Sequence, residues 1–429
     1  MTGEKPSPIL TVIRRLFQMH PGEGRALFLS GAYFFLVLSA WYVLRPIRDE
    51  MAVAGGVQNL PYMFTGTLIL MVLVNPLFAG VVSRFPRNTF VAIAYRFFML
   101  NLVTFFFLWR FLDPGGQIWL GRAFYWWGSV FNLFVVSIFW AFMSDVWRSG
   151  QSKRLYGIIG VGGTVGAISG ASVTGFFATR VGEPINLVLV SVVLLEIAVW
   201  VVLALSRKFS ALRKARGEAD TSGQAVGGSV WAGLKHLVKN PMLAGIGGYV
   251  LFYTVVGTVL YFARAELAAE IADRRARTAF LAQFDVWTNG LTLVTQMFLT
   301  SHVIRKLGMS ATLAVLPVLV LVGFLSLGFW PTAVVIIVFQ GLRRATNFSI
   351  ARPAKETLFT LVNREDRFKA KPLIDTLVYR AGDQIGAWGY AGLGAIGLTL
   401  SGVAFAWAPL AGVWAMLGFW LGRQKGSSA

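Results

Sequence analysis

Residues 351–387 place many ionisable side chains in a part of the chain that is otherwise strongly apolar. Asp375, Arg380 and Asp383 lie within residues 373–396, a segment long enough to cross a membrane. Charge inside a lipid-embedded helix is costly, so such residues usually face a partner or a water-filled cavity. These side chains are therefore candidates for binding or moving a charged solute.

Four arginines lie in or beside apolar segments without an acid in the same segment: Arg96, Arg122, Arg343 and Arg344. A guanidinium group offers its N–H donors in a planar fork that matches phosphate and carboxylate oxygens. The pattern predicts a site for an anionic solute. The alternative is structural pairing with acids on other helices, such as Asp285 or Glu196.

Three pairs of opposite charge are spaced so that both partners share one face of a helix. They are Lys371 with Asp375, Arg380 with Asp383, and Arg352 with Glu356. Such pairs either hold helices together or close the mouth of a transport path, and the sequence leaves both roles open.

The composition indicates a membrane protein. Hydrophobic residues make up 56% of the 429 residues and charged residues only 14%, whereas soluble proteins carry about 25% charged residues. There is no cysteine, and the three histidines, His20, His236 and His302, are far apart, so neither a metal site nor an enzyme active site is expected. We interpret the net charge of +20 as loop cations facing membrane lipid rather than nucleic acid.

Apolar segments of the length of a membrane span recur along the whole chain, and in lipid such segments must be helical. The predicted spans are residues 28–44, 60–82, 88–109, 119–143, 155–178, 186–205, 243–263, 285–304, 309–329, 333–351, 373–396 and 399–421. The predicted fold class is an all-α polytopic membrane protein with twelve transmembrane helices in a pseudo-symmetric six-plus-six arrangement of the major-facilitator type.

Loop cations place both termini on the cytoplasmic side, because that side then carries most of the lysine and arginine. The few cations of the opposite side, including Arg48 and Arg264, stand among acids. The predicted regions are a cytoplasmic amphipathic N-terminus at 1–26, a six-helix half at 27–205, a cytoplasmic linker at 206–241, a second six-helix half at 242–422 and a cytoplasmic tail at 423–429.

An internal repeat supports the two halves. Arg48 and Glu50 recur 216 residues later (264 − 48) as Arg264 and Glu266. The same offset relates Lys153 to Lys369, Gly166 to Gly382 and Gly170 to Gly386. Gly162, Gly166 and Gly170 are also spaced by four, which predicts a close approach between two helices.

Several motifs resemble those of the nucleotide (ATP/ADP) translocase family of plastids and intracellular bacteria. They are Y-V-L-R-P-I-R-D-E-M (42–51), W-G-S-V-F-N-L-F-V-V-S-I-F-W-A-F-M-S-D (127–145), K-R-L-Y-G-I-I-G-V-G-G-T-V-G (153–166), A-R-P-A-K-E-T-L-F (351–359) and K-A-K-P-L-I-D (369–375). The motifs occur in the family's order. The resemblance implies twelve helices of the major-facilitator type and transport by alternating access.

The resemblance also carries over individual residues. Arg48 stands where the family has a substrate-linked lysine, and Lys371, Lys355 and Glu356 match family positions. Two family glutamates linked to nucleotide exchange are replaced by Tyr125 and Tyr261, and Arg352 replaces an aspartate.

We therefore predict a secondary active transporter for a nucleotide or other phosphorylated anion in the bacterial cytoplasmic (inner) membrane, monomeric and without a cofactor. The predicted substrate-binding residues are Arg48, Arg96, Arg122, Tyr125, Tyr261, Arg343, Arg344 and Lys371. The predicted gate or coupling residues are Lys153, Arg154, Asp285, Lys355, Glu356, Asp375, Arg380 and Asp383. If protons drive transport, we expect Asp383, Asp375 or Asp285 to carry them. The alternatives are a non-nucleotide solute, such as a cell-wall fragment, and a membrane scaffold or sensor that transports nothing.

Overall fold

The computed structural model describes residues 23–82, 87–147, 149–216, 240–359, 362, 371 and 373–426. Within these ranges only the backbone is described for a few stretches, including 75–82, 152–153 and 296–307. The predicted amphipathic N-terminus and most of the predicted linker lie outside the described residues.

The described chain is a succession of helices. They are α1 (Gly24–Ala54), α2 (Leu60–Val82), α3 (Arg87–Phe111), α4 (Pro114–Val146), α5 (Ser149–Phe177), α6 (Val188–Arg216), α7 (Pro241–Ala269), α8 (Arg274–Phe329), α9 (Ala333–Thr346), α10 (Arg352–Leu358), α11 (Tyr379–Ala395) and α12 (Leu400–Gly426). Short 3₁₀ helices at Val57–Asn59 and Pro184–Leu187 precede α2 and α6.

Nine helices among the described residues are long and apolar enough to cross a membrane. The all-helical, multi-pass prediction is confirmed, whereas the number of twelve spans stays a prediction. Two predicted spans, 333–351 and 373–396, are divided into shorter pieces, because π-helical turns at Asn347–Ala351 and Ile374–Val378 interrupt them. Within α8, Gly308 separates two helices with a φ of 70°, a conformation that glycine adopts without a steric penalty.

The chain divides into two compact units. The first comprises Met1–Met51, Leu70–Gln224 and Thr278–Gln283, and the second comprises Ala52–Ile69, Ala225–Arg277 and Phe284–Ala429. The units depart from the predicted halves at two places, since Ala52–Ile69 belongs to the second unit and Thr278–Gln283 to the first.

Aromatic side chains fill the core of the first unit. The hydroxyl groups of Tyr33 on α1 and Tyr95 on α3 are 2.6 Å apart and fully buried. Phe34 stacks on Phe139 of α4 with 4.2 Å between ring centroids. A buried hydroxyl needs a hydrogen-bond partner, so the tyrosine pair fixes how α1 and α3 pack.

Glycines bring α5 against α1 in the first unit. A Cβ atom on Gly166 or Gly170 would overlap the backbone carbonyl oxygens of Phe35 and Ser39, respectively. The hydroxyl of Ser39 donates a hydrogen bond to the Gly166 carbonyl at 3.0 Å. The spacing of glycines by four thus gives the close packing that the sequence predicts.

The second unit contains the same arrangement between α11 and α7. A Cβ atom on Gly382 or Gly386 would lie 2.9 or 2.8 Å from the carbonyl oxygens of Leu251 and Val255, respectively. Gly382 follows Gly166, and Leu251 follows Phe35, by the same offset of 216 residues. Both members of each contact therefore repeat, which is stronger support for an internal duplication than single matching residues.

Arg48 and Arg264 are predicted to stand among acids, and each has a carboxylate beside it. Both lie inside helices, α1 and α7, and are largely buried. Each finds a carboxylate and aromatic rings within its own unit, which compensates its charge in the interior.

The glycine contact can be tested with Gly166→Ala. Both this change and its control, Gly160→Ala on the same helix, gain helix propensity of about 1 kcal/mol. Only the methyl group at position 166 overlaps backbone, whereas a Cβ at Gly160 meets nothing within 4 Å. We expect Gly166→Ala to lower stability by about 1–3 kcal/mol through overpacking. Thermal unfolding midpoints of the purified proteins measure the difference, and equal midpoints would contradict the packing.

Candidate functional site

Arg48 lies between α1 and α4 of the first unit, against the ring of Tyr125. Its guanidinium carbon is 4.5 Å from the Tyr125 ring centroid and 5.3 Å from that of Trp41. One Nη donates a hydrogen bond to Asp49 at 2.7 Å, and the other lies 3.4 Å from the Ser129 hydroxyl. The arginine side chain keeps 12% exposure. The structure thus brings together two predicted site residues, Arg48 and Tyr125.

Arg264 occupies a comparable environment in the second unit. Its guanidinium carbon lies 5.1 Å from the ring centroid of Tyr261 and 5.2 Å from that of Phe284. Asp285 of α8 is 3.5 Å away, and both charged side chains are only 2% exposed. Arg264 is absent from the predicted site residues, although its offset of 216 residues from Arg48 is the signal that could have identified it.

A polar chain continues from this ion pair to α9. The amide of Asn289 donates to the backbone carbonyl of Asp285 at 2.8 Å, one turn earlier on α8. Arg344 of α9 donates to the side-chain oxygen of Asn289 at 3.3 Å. Tyr261, Asp285 and Arg344, three predicted residues, are therefore connected through Arg264 and Asn289.

Arg343, the neighbour of Arg344, is buried against α7. Its side chain lies over the ring of Tyr253, with the guanidinium carbon 4.8 Å from the centroid, and one Nη is 3.4 Å from the Tyr253 carbonyl. Gly257 leaves room for it, since a Cβ there would lie 3.3 Å from the guanidinium. Arg343 is 6% exposed, and its Nε has no acceptor. Within the described ranges no carboxylate is within ion-pair distance of Arg343.

Asp383 of α11 joins the same side of α7. It accepts hydrogen bonds from the Thr258 hydroxyl at 3.1 Å and from Arg380 at 3.0 Å. The predicted pair of Arg380 and Asp383 is thereby confirmed. Two turns further along α11, the Tyr390 hydroxyl donates to Glu266 of α7 at 2.7 Å. Four helices of the second unit, α7, α8, α9 and α11, thus share a polar interior.

The two remaining arginines predicted to lack acids differ from each other. Arg122 on α4 lies over the ring of Trp119 at 4.3 Å, and its buried Nε has no acceptor. No carboxylate of the described chain is within ion-pair distance of it. Arg96 on α3 instead pairs with Glu196 of α6 at 2.8 Å, the alternative that the sequence left open, and its side chain is 54% exposed.

Four predicted residues form two ion pairs that join α10 to residues 371–375. Lys355 pairs with Asp375 at 3.1 Å, and Lys371 pairs with Glu356. The predicted pairings of Lys371 with Asp375 and of Arg352 with Glu356 are wrong. Asp375 lies in the π-helical turn Ile374–Val378, whose wider spacing changes the faces on which residues four apart point.

Arg154 of α5 pairs with Glu23, at the start of α1, at 3.2 Å. The side chain of Lys153 lies outside the described part of the chain.

Comparison with known proteins gives the family. Residues 117–338, just over half of the chain, match the family described as "TLC ATP/ADP transporter". The chain belongs to this family. "ADP,ATP carrier protein 1" of Chlamydia muridarum is 22% identical to it, over an alignment that covers 98% of this chain and 90% of that protein. The chloroplastic "ADP,ATP carrier protein 1" of Arabidopsis thaliana is also 22% identical, over 90% of this chain and 71% of that protein.

Solved structures place this TLC-family chain in the major-facilitator fold. The nucleoside transporter NupG superposes with a TM-score of 0.61 over 92% of this chain and 98% of that one, at 14% identity. A bacterial homologue of the iron transporter ferroportin, in an inward-facing state, gives a TM-score of 0.62 over 94% and 100%, also at 14% identity. The TLC-family protein is accordingly a multi-pass membrane transporter and not an enzyme.

Tyr125 and Tyr261, which the resemblance puts where the family has glutamates, have similar surroundings in this TLC-family protein. Tyr125 lies against Arg48, and Tyr261 lies against Arg264, in each case with the ring facing the guanidinium. A neutral ring stabilises the cation through its quadrupole without adding a negative charge. The neutral residues Tyr253, Thr258 and Asn289, which complete the polar interior, were missed because nothing in their spacing distinguishes them.

Removing one partner of the buried pair between Arg264 and Asp285 should destabilise the second unit. We expect Asp285→Asn to cost about 3–5 kcal/mol, because it leaves a buried guanidinium without its carboxylate. The double variant Arg264→Met/Asp285→Leu removes both charges and should recover most of the loss. Thermal unfolding of the three proteins in one detergent gives the comparison. A single variant as stable as the unaltered protein would show that the pair does not compensate the charge.

Proposed function

We propose that the chain is a secondary active transporter that moves an organic anion, a nucleotide or other phosphorylated metabolite, by alternating access. Its family is one of transporters, and relatives that match over most of its length are named ADP,ATP carriers. The major-facilitator fold supports alternating access, because transporters with internal repeats commonly alternate by rocking one repeat against the other.

Arg343 is the observation that carries the anion proposal. It is buried in the second unit, stacks on Tyr253, and among the described residues has no carboxylate partner. A guanidinium has five N–H donors, and the one hydrogen bond that the structure gives Arg343 goes to a backbone carbonyl. A buried, uncompensated cation costs several kcal/mol, and an anionic oxygen arriving at its Nε and Nη would remove that cost.

The neighbours of Arg343 support a phosphate-bearing solute. Arg344 follows it on α9 and donates a hydrogen bond to the neutral side-chain oxygen of Asn289, so two guanidinium groups are neighbours in the sequence here. Two adjacent guanidinium groups suit the several oxygens of a phosphate or diphosphate better than a single carboxylate. We propose Tyr261, which borders this polar interior against Arg264, as an aromatic surface for the organic part of the solute.

We propose that two ion pairs near Arg343 and Arg344 exchange partners during transport. The pair of Arg380 and Asp383 lies beside Thr258 on α7. The pair of Lys355 and Asp375 joins α10 to the π-helical turn that precedes α11. Breaking such partly exposed pairs costs little, which suits contacts that form and break in every cycle. Asp383 is the proposed proton carrier if transport is proton-coupled, because it is the buried member of its pair.

A solute other than ATP or ADP is the second candidate. Tyr125 and Tyr261 occupy the places where the resemblance puts glutamates that are linked to nucleotide exchange. The ring of each tyrosine lies against an arginine side chain, Arg48 or Arg264. A site that keeps its cations and lacks these acids fits phosphorylated metabolites as a class. A role in substrate binding for Arg48, Arg122 and Lys371 stays a prediction. So do the location in a bacterial cytoplasmic membrane and the cytoplasmic position of both termini.

Ligand binding to purified protein tests the proposal. We expect ATP, ADP or a sugar phosphate to raise the unfolding temperature in a concentration-dependent way, because a ligand that binds only the folded state stabilises it. Arg343→Gln should weaken that binding roughly tenfold or more, since a hydrogen bond to a charged group is lost. Uptake of the same radiolabelled solute into proteoliposomes would establish transport.

Arg110→Gln is the matched control. Arg110 lies exposed on α3 and donates a hydrogen bond to Asn186, so removal of its charge should leave solute affinity unchanged. A folded Arg343→Gln protein with unaltered affinity would overturn the anion site. Binding of sugar phosphates without binding of ATP or ADP would favour the second candidate. Absence of flux for every anion that binds would favour a sensor over a transporter.

A further inference from the structure

The first unit carries a partly exposed ion pair between two helices that are long and apolar enough to span the membrane. Arg96 of α3 donates two hydrogen bonds to Glu196 of α6, at 2.8 and 3.3 Å. Trp200 adds its indole N–H to the same carboxylate at 2.9 Å. Both charged residues lie inside candidate spans, Phe90–Phe111 and Pro184–Arg207. The side chains are 54% and 30% exposed.

Exposed apolar residues surround this pair on the same two helices. Phe97 and Leu100 of α3 and Val193 of α6 are 58%, 64% and 58% exposed. Residues three or four apart lie on one helix face, so Leu100 lies one turn after Arg96 and Val193 one turn before Glu196, while Phe97 directly follows Arg96 on the adjoining face. We refer to Arg96, Phe97, Leu100, Val193, Glu196 and Trp200 as the α3–α6 face.

Lipid alone is a poor neighbour for such a face. Ionisable residues within transmembrane segments nearly always face the interior of a bundle, a water-filled cavity or one another. Arg96 and Glu196 neutralise each other, but their exposed polar atoms would still meet hydrocarbon that offers no hydrogen bonds. A protein surface that supplies hydrogen-bonding groups at the same depth would satisfy them.

The arrangement of the charges identifies a suitable occupant. In a two-fold dimer the same patch meets itself, so that residue i contacts residue j and residue j contacts residue i. Adjacent opposite charges are self-complementary under such an axis, because the arginine of each copy can face the glutamate of the other. We propose that the α3–α6 face is the interface through which two copies of this chain associate in the membrane, in place of the monomer that the sequence suggests. This inference is independent of the transported solute.

Charge complementation between two variants tests the proposal directly. Arg96→Glu gives a protomer with two acids at the face, and Glu196→Arg gives a protomer with two cations. Each variant alone should dimerise roughly tenfold more weakly than the unaltered protein. A mixture of the two should form heterodimers, because acids then face cations. Fluorescence energy transfer between differently labelled proteins, diluted in liposomes, measures each association. The double variant Arg96→Glu/Glu196→Arg restores both charges and should again self-associate.

Cross-linking gives a second measurement that does not depend on charge variants that fail to fold. The chain contains no cysteine, so a single introduced thiol reports one position without background. Leu100→Cys in the α3–α6 face should form a disulfide-linked dimer in membranes under mild oxidation. Val322→Cys, at a position 57% exposed on α8 of the second unit, is the control that should remain monomeric.

Three results would overturn the proposal. One is energy transfer that stays at the level of random proximity for the unaltered protein at every protein-to-lipid ratio. Another is equal cross-linking of Leu100→Cys and Val322→Cys. Loss of dimer in each charge variant without recovery in the mixture would also contradict it, since it would leave the ion pair with a role inside one copy only.

Discussion

Charge compensation inside apolar helices is the constraint on which the rest of this structure depends. An arginine in a membrane span is tolerated only where nearby groups take over the role of water. Arg48 and Arg264 meet this condition in the same way, with a carboxylate and two aromatic rings each. Arg343 meets it only in part, through a ring and a backbone carbonyl. This incomplete compensation is the reason for proposing Arg343 as a residue that binds the solute.

The helical, multi-pass character of the chain follows from composition and apolar segment length alone. The close approach of α5 to another helix also follows from sequence, because small residues spaced by four let two helix backbones come together. Partner assignment between helices does not follow. Arg96 and Glu196 are a hundred positions apart, and only the antiparallel packing of α3 and α6 brings them into contact. Sequence therefore gives the candidate acid but not the choice between pairing and solute binding.

Helix type explains one of the two wrong pairings. The pairing of Arg380 with Asp383 was predictable because both belong to regular α11. The pairing of Lys371 with Asp375 was not, because a π-helical turn begins at Ile374. Predicting ion pairs from residues three or four apart assumes a regular α-helix, and no residue in Ile374–Val378 indicates a π-helical turn in the sequence. Neutral residues such as Asn289 and Tyr253 cannot be identified from sequence for a different reason. Their role depends on contacts with Arg344 and Arg343, which only the structure gives.

The π-helical turns at Asn347–Ala351 and Ile374–Val378 have a mechanical consequence. Each holds one residue more than the α-helical path requires, and an α-helix advances by about 100° per residue. A change of such a turn from π-helical to α-helical would rotate every side chain after it about the helix axis, while the backbone hydrogen bonds were kept. Lys355 and Asp375, which lie just beyond and within these turns, could thereby be turned toward or away from each other without unfolding a single helix.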